Sequence, residues 1–315
     1  MARQLSTRAL GALEAGRLLQ QSKAKRDRQI PVFDLIHEQK LEIVFRPLKR
    51  LFGVYLPPES DTPGGVLLSS NLPRAVQRFT AAHELGHHML KHSSVIDDER
   101  RVDDPRSPME RGADGFAERL LMPQELIDAS LKRLGLADGR VRSFEDVYQL
   151  ALEVGVSYKA TVKRLQTLNY ISRPIADDWF RMAPRRAKES IVSRNLVEDY
   201  RRDTYRITLA DSRNELVVRE GDLIAVEVEE QVTTGYVWSV RSSGSARVVE
   251  DNLLDSSDRY GAKSTRRVVF NIESPGEGMV DMELSRPWEN GLPAQSRRFA
   301  VHAERAPLGP LALVT

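Results

Sequence analysis

The sequence predicts an α+β protein with several domains, and three observations lead to this prediction. The chain has 315 residues, more than one ordinary hydrophobic core accommodates, so two or three domains are expected. The first half mixes helical runs with short strands, whereas the last third alternates apolar and polar residues without helical periodicity. Four of the six histidines lie within residues 83–92, which indicates a chemical site rather than packing.

Composition narrows the classes of protein and partner. Hydrophobic residues make up 41% of the chain and charged residues 29%, as is typical of globular proteins. Lys and Arg total 47 against 45 Asp and Glu, so the net charge of +2 indicates no particular partner. The absence of cysteine excludes disulfides and thiolate zinc sites. Because no apolar run approaches the roughly 20 residues of a membrane span, we expect a cytoplasmic protein with no membrane partner.

The first part of the chain predicts a helix followed by a mixed domain. Residues 1–28 are rich in good helix formers and are expected to form a helix that lies on the next domain. That domain is expected over residues 29–139, where "LEIVFRPL", "LFGVYLP" and "GGVLLSS" predict a small antiparallel sheet. A helix over residues 74–92 and a polar loop follow. A second helix, "MERGADGFAERLLM", ends at Pro123, because proline cannot continue a helix.

The rest of the chain predicts a helical unit, a linker and a β-sandwich. Residues 140–172 include "LALEVGVSYKATVKRL", which is typical of a helix-turn-helix, with Gly155 at the turn and Ser157 as the cap of the second helix. Residues 173–204 lose clean periodicity and contain two prolines, so a linker is expected there. Residues 205–315 contain five alternating segments separated by Gly, Asp and Pro, which predict a small β-sandwich: "YRITLAD", "DLIAVEVEE", "YVWSVRS", "RRVVFNIES" and "GMVDMELS".

The histidine-rich helix carries a metal-binding motif. His83 and His87 lie one turn apart on one helical face and can share a cation, for which Zn²⁺ is the natural choice. Glu84 lies beside them, where it can act as a general base. Glu110 on the next helix can complete the ligand set, and Asp114 can accept the free imidazole N–H of one ligand. The alternative is a solvated, histidine-rich helix face.

The remaining candidates near this motif have weaker signals. His88 points about 100° away from His87 on a helical wheel, so we expect it to pack or to face solvent. His92 is expected on the side of His88, without a second metal site. Tyr158 and Tyr170 are candidates for stabilising an oxyanion only because they lie in or beside the neighbouring helical unit.

The segments "QRFTAAHELGHHMLKH" and "ERGADGFAERLLMP" together resemble the ImmA/IrrE family of zinc metallopeptidases, over about residues 30–172. The resemblance implies a zincin-like metallopeptidase domain that hydrolyses peptide bonds. It also implies Zn²⁺ ligands at His83, His87 and Glu110, with Glu84 as the general base. The implied partner is a protein substrate, such as a helix-turn-helix transcriptional repressor or an antitoxin-like protein.

Two short segments of the last third, "TTGYVW" and "RPWE", resemble the loops of chagasin-type inhibitors. Those proteins are immunoglobulin-like sandwiches that block papain-family cysteine peptidases with adjacent loops. The candidate partner-binding residues are Thr233, Thr234, Gly235, Arg286, Pro287 and Trp288. Gly235 permits a close backbone approach to a groove, and Trp288 is a large, rigid anchor.

The β-sandwich also departs from that resemblance. Val232 stands where a proline is usual, and the loop "DRYGAKSTRR" is charged and poor in glycine. Tyr236 and Trp238 alternate along one strand, so either or both can belong to the sandwich core. A domain that recruits a substrate, a partner or a regulatory signal is therefore an alternative to an inhibitor.

Three functions remain open from the sequence. The first is a zinc endopeptidase whose β-sandwich serves recognition or regulation. The second is a peptidase inhibitor that acts through the chagasin-like domain. The third is a DNA-binding regulator, in which Lys159, Lys163 and Arg164 of the helix-turn-helix-like unit contact phosphates. For this unit, packing on the catalytic domain is the preferred interpretation over DNA binding.

Overall fold

The computed structural model describes residues 5–60, 62–92, 107–136, 139–197, 199, 201–230, 234–254, 264–289 and 291–305. The chain divides into two compact units. One contains the described residues of Met1–Ser130 and Leu150–Phe180, and the other those of Leu131–Gln149 and Arg181–Leu308. Among the described residues, no helix combines the length and the apolar character that a membrane crossing requires.

Helices and a three-stranded sheet form the first part of the chain. The elements in order are α1 (Thr7–Gln21), α2 (Val32–Glu38), β1 (Glu42–Arg46), β2 (Gly53–Leu56), β3 (Gly65–Ser69), α3 (Arg74–Met89), α4 (Pro108–Leu121) and α5 (Gln124–Arg133). The sheet order is β1-β3-β2. The predicted antiparallel sheet is wrong for one pair, since β1 and β3 run parallel while β2 and β3 run antiparallel. The mostly buried β3 takes the central place between β1 and β2.

Helix α1 packs along α4 by close approach of the two backbones. Its buried residues are Gly11, Ala15, Leu18 and Leu19. A Cβ on Gly11 would lie 1.9 Å from the carbonyl oxygen of Gly112 in α4, and one on Gly115 would lie 2.2 Å from that of Arg8. Because no side chain fits at these positions, glycine is what allows α1 to lie against α4.

Four further helices follow, namely α6 (Phe144–Val154), α7 (Tyr158–Thr167), α8 (Arg173–Arg181) and α9 (Pro184–Ile191). Gly155 separates α6 from α7 with φ +74°, and the Ser157 hydroxyl accepts from the Ala160 N–H at 3.3 Å. The segment predicted as a linker, residues 173–204, contains α8 and α9. Pro174 and Pro184 stand in the first turns of these helices, where a missing N–H costs nothing, so each starts a helix instead of breaking one.

Two four-stranded sheets form the last third. The strands are β4 (Thr204–Thr208), β5 (Glu215–Arg219), β6 (Leu223–Glu230), β7 (Val237–Gly244), β8 (Ala246–Leu253), β9 (Ser264–Ile272), β10 (Gly276–Ser285) and β11 (Gln295–Glu304). The sheet orders are β4-β6-β9-β8 and β5-β11-β10-β7. The pairs β4–β6 and β5–β11 are parallel and the others antiparallel. One core, with Trp238, Phe270 and Phe299 as its largest side chains, draws residues from both sheets.

Candidate metal centre

Helix α3 is anchored by a buried arginine one and a half turns before the histidines. Arg78 is 4% exposed, and its guanidinium donates to the carbonyl oxygens of Ile30 at 2.9 Å and Gly155 at 3.0 Å. Burial, together with the charge of Arg74, lowers the pKa of Arg78 to about 10. These bonds hold α3 against the turn between α6 and α7. No pattern in the sequence indicates this role for Arg78.

Three side chains from α3 and α4 converge within this unit. The Nε2 atom of His83 lies 3.0 Å from Oε2 of Glu110, and that of His87 lies 3.4 Å from Oε1. The two Nε2 atoms are 3.1 Å apart. Tetrahedral Zn²⁺ with ligand bonds of about 2.0–2.1 Å separates its ligand atoms by about 3.3 Å. The three side chains, called here the metal centre, therefore have both the donor types and the spacing for this cation.

The two acidic residues of the site on helix α4 lie in its first two turns. Ser107 caps the helix by accepting from the Glu110 N–H at 3.1 Å, with Pro108 in the first turn. Asp114 follows one turn after Glu110, and its Oδ1 lies 3.1 Å from Nδ1 of His83. An ionised carboxylate can only accept, so the Nδ1–H of His83 donates to it and Nε2 remains available for the cation.

The neighbouring groups shift the pKa values of His83 and His87 in opposite directions. Burial opposes protonation of His83, but hydrogen bonds to Asp114 and Glu110 outweigh it and raise its pKa to about 10. Burial and the charge of His83 lower the pKa of His87 to about 4. Burial would raise the pKa of Asp114, but its hydrogen bond to His83, together with the charges of His83, Arg8 and Lys163, outweighs burial and lowers it. Without metal, His83 therefore carries a proton that a cation must displace, whereas His87 is neutral.

The predicted general base lies in the same helix. Glu84 is 9% exposed and immediately follows His83 in α3. Its negative charge contributes to the raised pKa of His83.

The neighbouring histidines have different partners. The Nδ1 atom of His88 lies 2.9 Å from the Tyr55 hydroxyl, so His88 packs against β2, in line with expectation. The expected location of His92 beside His88 is wrong. Its Nδ1 lies 2.9 Å from Nδ1 of His87, because the chain reverses at Lys91 with φ +56° after the helix ends.

The two tyrosine candidates for an oxyanion role are bonded elsewhere. Tyr158 is 4% exposed and its hydroxyl donates to the Trp179 carbonyl at 3.0 Å. The hydroxyl of Tyr170 donates to Asp128. Neither bond involves the metal centre, so the interpretation of these tyrosines as oxyanion donors finds no support.

The three basic residues considered for DNA contact protein groups. The Lys163 ammonium lies 3.1 Å from a Glu118 oxygen, and Nε of Arg164 donates to the Met122 carbonyl at 2.9 Å. The Lys159 ammonium lies 5.0 Å from the centre of the Phe180 ring. All three help to pack α7 within its unit, which favours the structural interpretation of this segment.

The loops of the β-sandwich bring two predicted segments together. Residues 234–236 and 286–289 are called here the loop pair. A Cβ on Gly235, where φ is +76°, would lie 2.3 Å from the ring of Trp288, so only glycine allows this contact. The Arg286 guanidinium lies 4.5 Å from the centre of the Tyr236 ring. Trp288 remains 68% exposed.

Of the other predicted loop residues, Pro287 and Thr234 are described by the structure. Pro287 is exposed beside Trp288, and the Thr234 hydroxyl accepts from the Tyr236 N–H at 3.4 Å. Thr233, Val232 and most of the loop "DRYGAKSTRR" lie outside the described residues. Trp238, by contrast, is 1% exposed in the sandwich core, and its indole N–H donates to the Glu229 carbonyl at 2.9 Å.

Comparisons with known families match both regions. Residues 38–166 match the peptidase family M78 model, described as the IrrE N-terminal-like domain. Residues 217–303 match the model of Chagasin family peptidase inhibitor I42. The first match contains the metal centre, and the second contains the loop pair.

Individual relatives cover part or most of the chain. Chagasin from Trypanosoma cruzi is 23% identical over 107 residues, which are 31% of this chain and 96% of that protein. A cysteine protease inhibitor from Entamoeba histolytica is 22% identical, covers 32% of this chain and 96% of its own, and gives a TM-score of 0.30. A transcriptional regulator from Mycobacterium tuberculosis is 15% identical, with 84% and 76% covered and a TM-score of 0.35.

The chain thus joins a region that matches the IrrE N-terminal-like domain of M78 peptidases to a region that matches the chagasin family of peptidase inhibitors.

Proposed function

We propose that this protein is a zinc-dependent endopeptidase in which His83, His87 and Glu110 hold the cation. The observation that carries the proposal is the convergence of three ligand atoms from two helices at a spacing close to that of tetrahedral Zn²⁺. Three protein ligands leave one position of a tetrahedron open, as in catalytic rather than structural zinc sites. The match to a peptidase family over residues 38–166 supports the same reaction class.

The residues at and around the metal centre have different roles in the proposed reaction. When bound, Zn²⁺ supplies Lewis acidity, which lowers the pKa of a water molecule and polarises the scissile carbonyl. The carboxylate of Glu84 takes up the proton of that water and delivers it to the leaving amine. Asp114 holds the Nδ1–H of His83, which keeps Nε2 directed at the cation.

An extended peptide is the substrate form that suits this unit. Strand β2 pairs with β3 on one side among the described strands and lies at the edge of the sheet. The bond between Tyr55 of β2 and His88 of α3 places this edge beside the helix of the metal centre. A substrate strand can add to it through main-chain hydrogen bonds. We propose a regulatory protein as the source of that strand, such as a helix-turn-helix repressor or an antitoxin-like protein.

The test uses Glu84→Gln, in which the amide cannot take up a proton. Wild-type and variant protein are loaded with Zn²⁺, their metal content is measured, and both are incubated with a proteome-derived peptide library. We expect one Zn²⁺ per chain in both proteins and new peptide termini from the wild type alone. Glu38→Gln, the same change at an exposed residue of α2, is the matched control and should cleave like the wild type. Equal cleavage by Glu84→Gln would contradict the proposal.

The loop pair favours a second function, the binding of a papain-like peptidase. The exposed Trp288 and the close contact at Gly235 suit insertion into a groove. We propose that the sandwich binds a protein through this surface, either to inhibit a peptidase or to recruit and regulate. Inhibition of papain by the full chain, lost in Trp288→Ala, supports the inhibitor. Binding of the metallopeptidase substrate lost in the same variant supports recruitment.

A further inference from the structure

His92 follows α3 and turns back onto the last turn of the helix. Lys91 takes the left-handed conformation with φ +56°. The His92 N–H then donates to the His87 carbonyl at 3.0 Å, and the Lys91 N–H to that of His88 at 3.0 Å. These two bonds form a Schellman motif, with lysine where glycine is usual. The motif fixes the backbone of His92 next to the candidate ligand His87.

The ring of His92 meets the ring of His87 through nitrogen. The two Nδ1 atoms are 2.9 Å apart, with ring centres 5.0 Å apart and planes inclined by 65°. Helix α4 passes beside this pair, and a Cβ on Gly112 would lie 3.8 Å from Cε1 of His92. The His92 ring therefore lies in a partly buried space bounded by both helices that supply the metal centre.

The contact decides which nitrogen of His87 carries hydrogen. The Nε2 atom of His87 faces Glu110 and His83, so a cation there needs its lone pair and the hydrogen must lie on Nδ1. Two Nδ1 atoms separated by a hydrogen-bond distance cannot both carry hydrogen. When His92 carries its own hydrogen on Nε2, its Nδ1 accepts from His87.

We propose that His92 is a positioning residue, which accepts the Nδ1–H of His87 and so holds His87 in the tautomer that binds the cation. The inference rests on the proposed function, and it pairs His92 with Asp114, which accepts from His83 in the same way. The two acceptors differ in charge. An imidazole orients its partner without adding a further negative charge to those of Glu110, Glu84 and Asp114.

The test measures Zn²⁺ affinity of the full-length protein by competition with a chromophoric chelator. His92→Leu removes the acceptor, and His92→Asn keeps an acceptor atom at the position of Nδ1. We expect about 10–100-fold weaker binding for His92→Leu and a loss within about threefold for His92→Asn. His88→Leu, which removes the bond to Tyr55 instead, is the matched control and should bind like the wild type.

A second readout reports the tautomer itself. In ¹⁵N spectra of the zinc-loaded wild type, His87 should carry hydrogen on Nδ1 alone, and His92→Leu should lose this single form. Unchanged affinity and an unchanged His87 tautomer in His92→Leu would overturn the inference while leaving the peptidase proposal intact. So would a Co²⁺ spectrum in which His92→Leu removes a nitrogen ligand, because His92 would then bind the metal directly. Failure of the wild type to bind Zn²⁺ would contradict the proposed function and this inference together.

Discussion

The metal centre and the loop pair hold their functional groups in opposite ways. His87 is 6% exposed and Glu84 9%, and each candidate histidine ligand has a second partner on its outer nitrogen. Trp288 is 68% exposed and is positioned by its contact with Gly235. Buried groups with two partners are organised before a ligand arrives, whereas an exposed anchor can be removed without disturbing the fold. Substitutions in the two regions should therefore differ in their effect on stability and on binding.

The largest expected effect separates two tryptophans of the β-sandwich. Trp238→Ala should lower the free energy of unfolding by about 3–5 kcal/mol, because it empties a packed core site. Trp288→Ala should change it by less than about 0.5 kcal/mol, because its ring is largely solvated. Urea unfolding of the full chain, monitored through amide exchange in β6 and β9, measures the change in free energy of unfolding for each variant. A similar loss in the two variants would remove the contrast between core and loop pair.

In the metal centre, Glu110→Gln should weaken Zn²⁺ binding by about a hundredfold or more, since the neutral amide is a poor ligand for the cation. Chelator competition measures the affinity. Trp288→Ala, in the other region, is the matched comparison and should leave Zn²⁺ affinity unchanged. Retained affinity in Glu110→Gln would mean that another group supplies the third ligand.

Helix α1 adds a third region to the comparison, because it packs against α4, the helix that carries Glu110. Gly11→Ala should destabilise the zinc-free protein by about 1–3 kcal/mol through overpacking against Gly112, and should weaken Zn²⁺ binding. Gly16→Ala is the matched control on the same helix. Apart from its chain neighbours and the backbone of its own helix, no heavy atom of the described residues lies within 4 Å of the added methyl group, so the substitution should stabilise the helix by up to about 1 kcal/mol. Urea unfolding that ranks the two variants in the reverse order would contradict the packing of α1 on α4.

The smallest expected effect is the number of protons released when Zn²⁺ binds. Because hydrogen bonds raise the pKa of His83 to about 10, Zn²⁺ binding at pH 7.5 should release about one proton from it. Calorimetry in two buffers of different ionisation enthalpy gives this number. The stability that protonated His83 lends the zinc-free protein is fully present below its unfolded pKa of 6.5 and is lost as the pH rises through about 10. Asp114→Asn should reduce both the proton release and this pH dependence.

Regular spacing made much of the metal centre predictable. The pair His83 and His87 follows from helical geometry, and α3 and α4 lie close to the predicted helices. The partner of His92 was not predictable, because the turn depends on Lys91 in a conformation that glycine normally signals. A search for histidine five residues after a candidate ligand would have found it. The role of Arg78 depends on carbonyl oxygens distant in sequence, which no local pattern encodes.

The fold was predictable where apolar residues alternate. The five alternating segments of residues 205–315 correspond to β4, β6, β7, β9 and β10, whereas no segment predicts β5, β8 or β11. Most of β8 is exposed, so its side chains show no alternation. Short parallel pairs such as β5–β11 depend on distant partners. The helices of residues 173–204 were not predictable from the two prolines, because proline can begin a helix as well as interrupt one.

The most direct test is X-ray absorption at the zinc edge of protein loaded with one equivalent of Zn²⁺. The expected spectrum is that of a four-coordinate ion with two imidazoles and oxygen ligands, at about 2.0–2.2 Å. His83→Ala and His87→Ala should each remove one imidazole from it. A zinc environment without imidazole, or one that both variants leave unchanged, would contradict the assignment of His83, His87 and Glu110 as the metal centre.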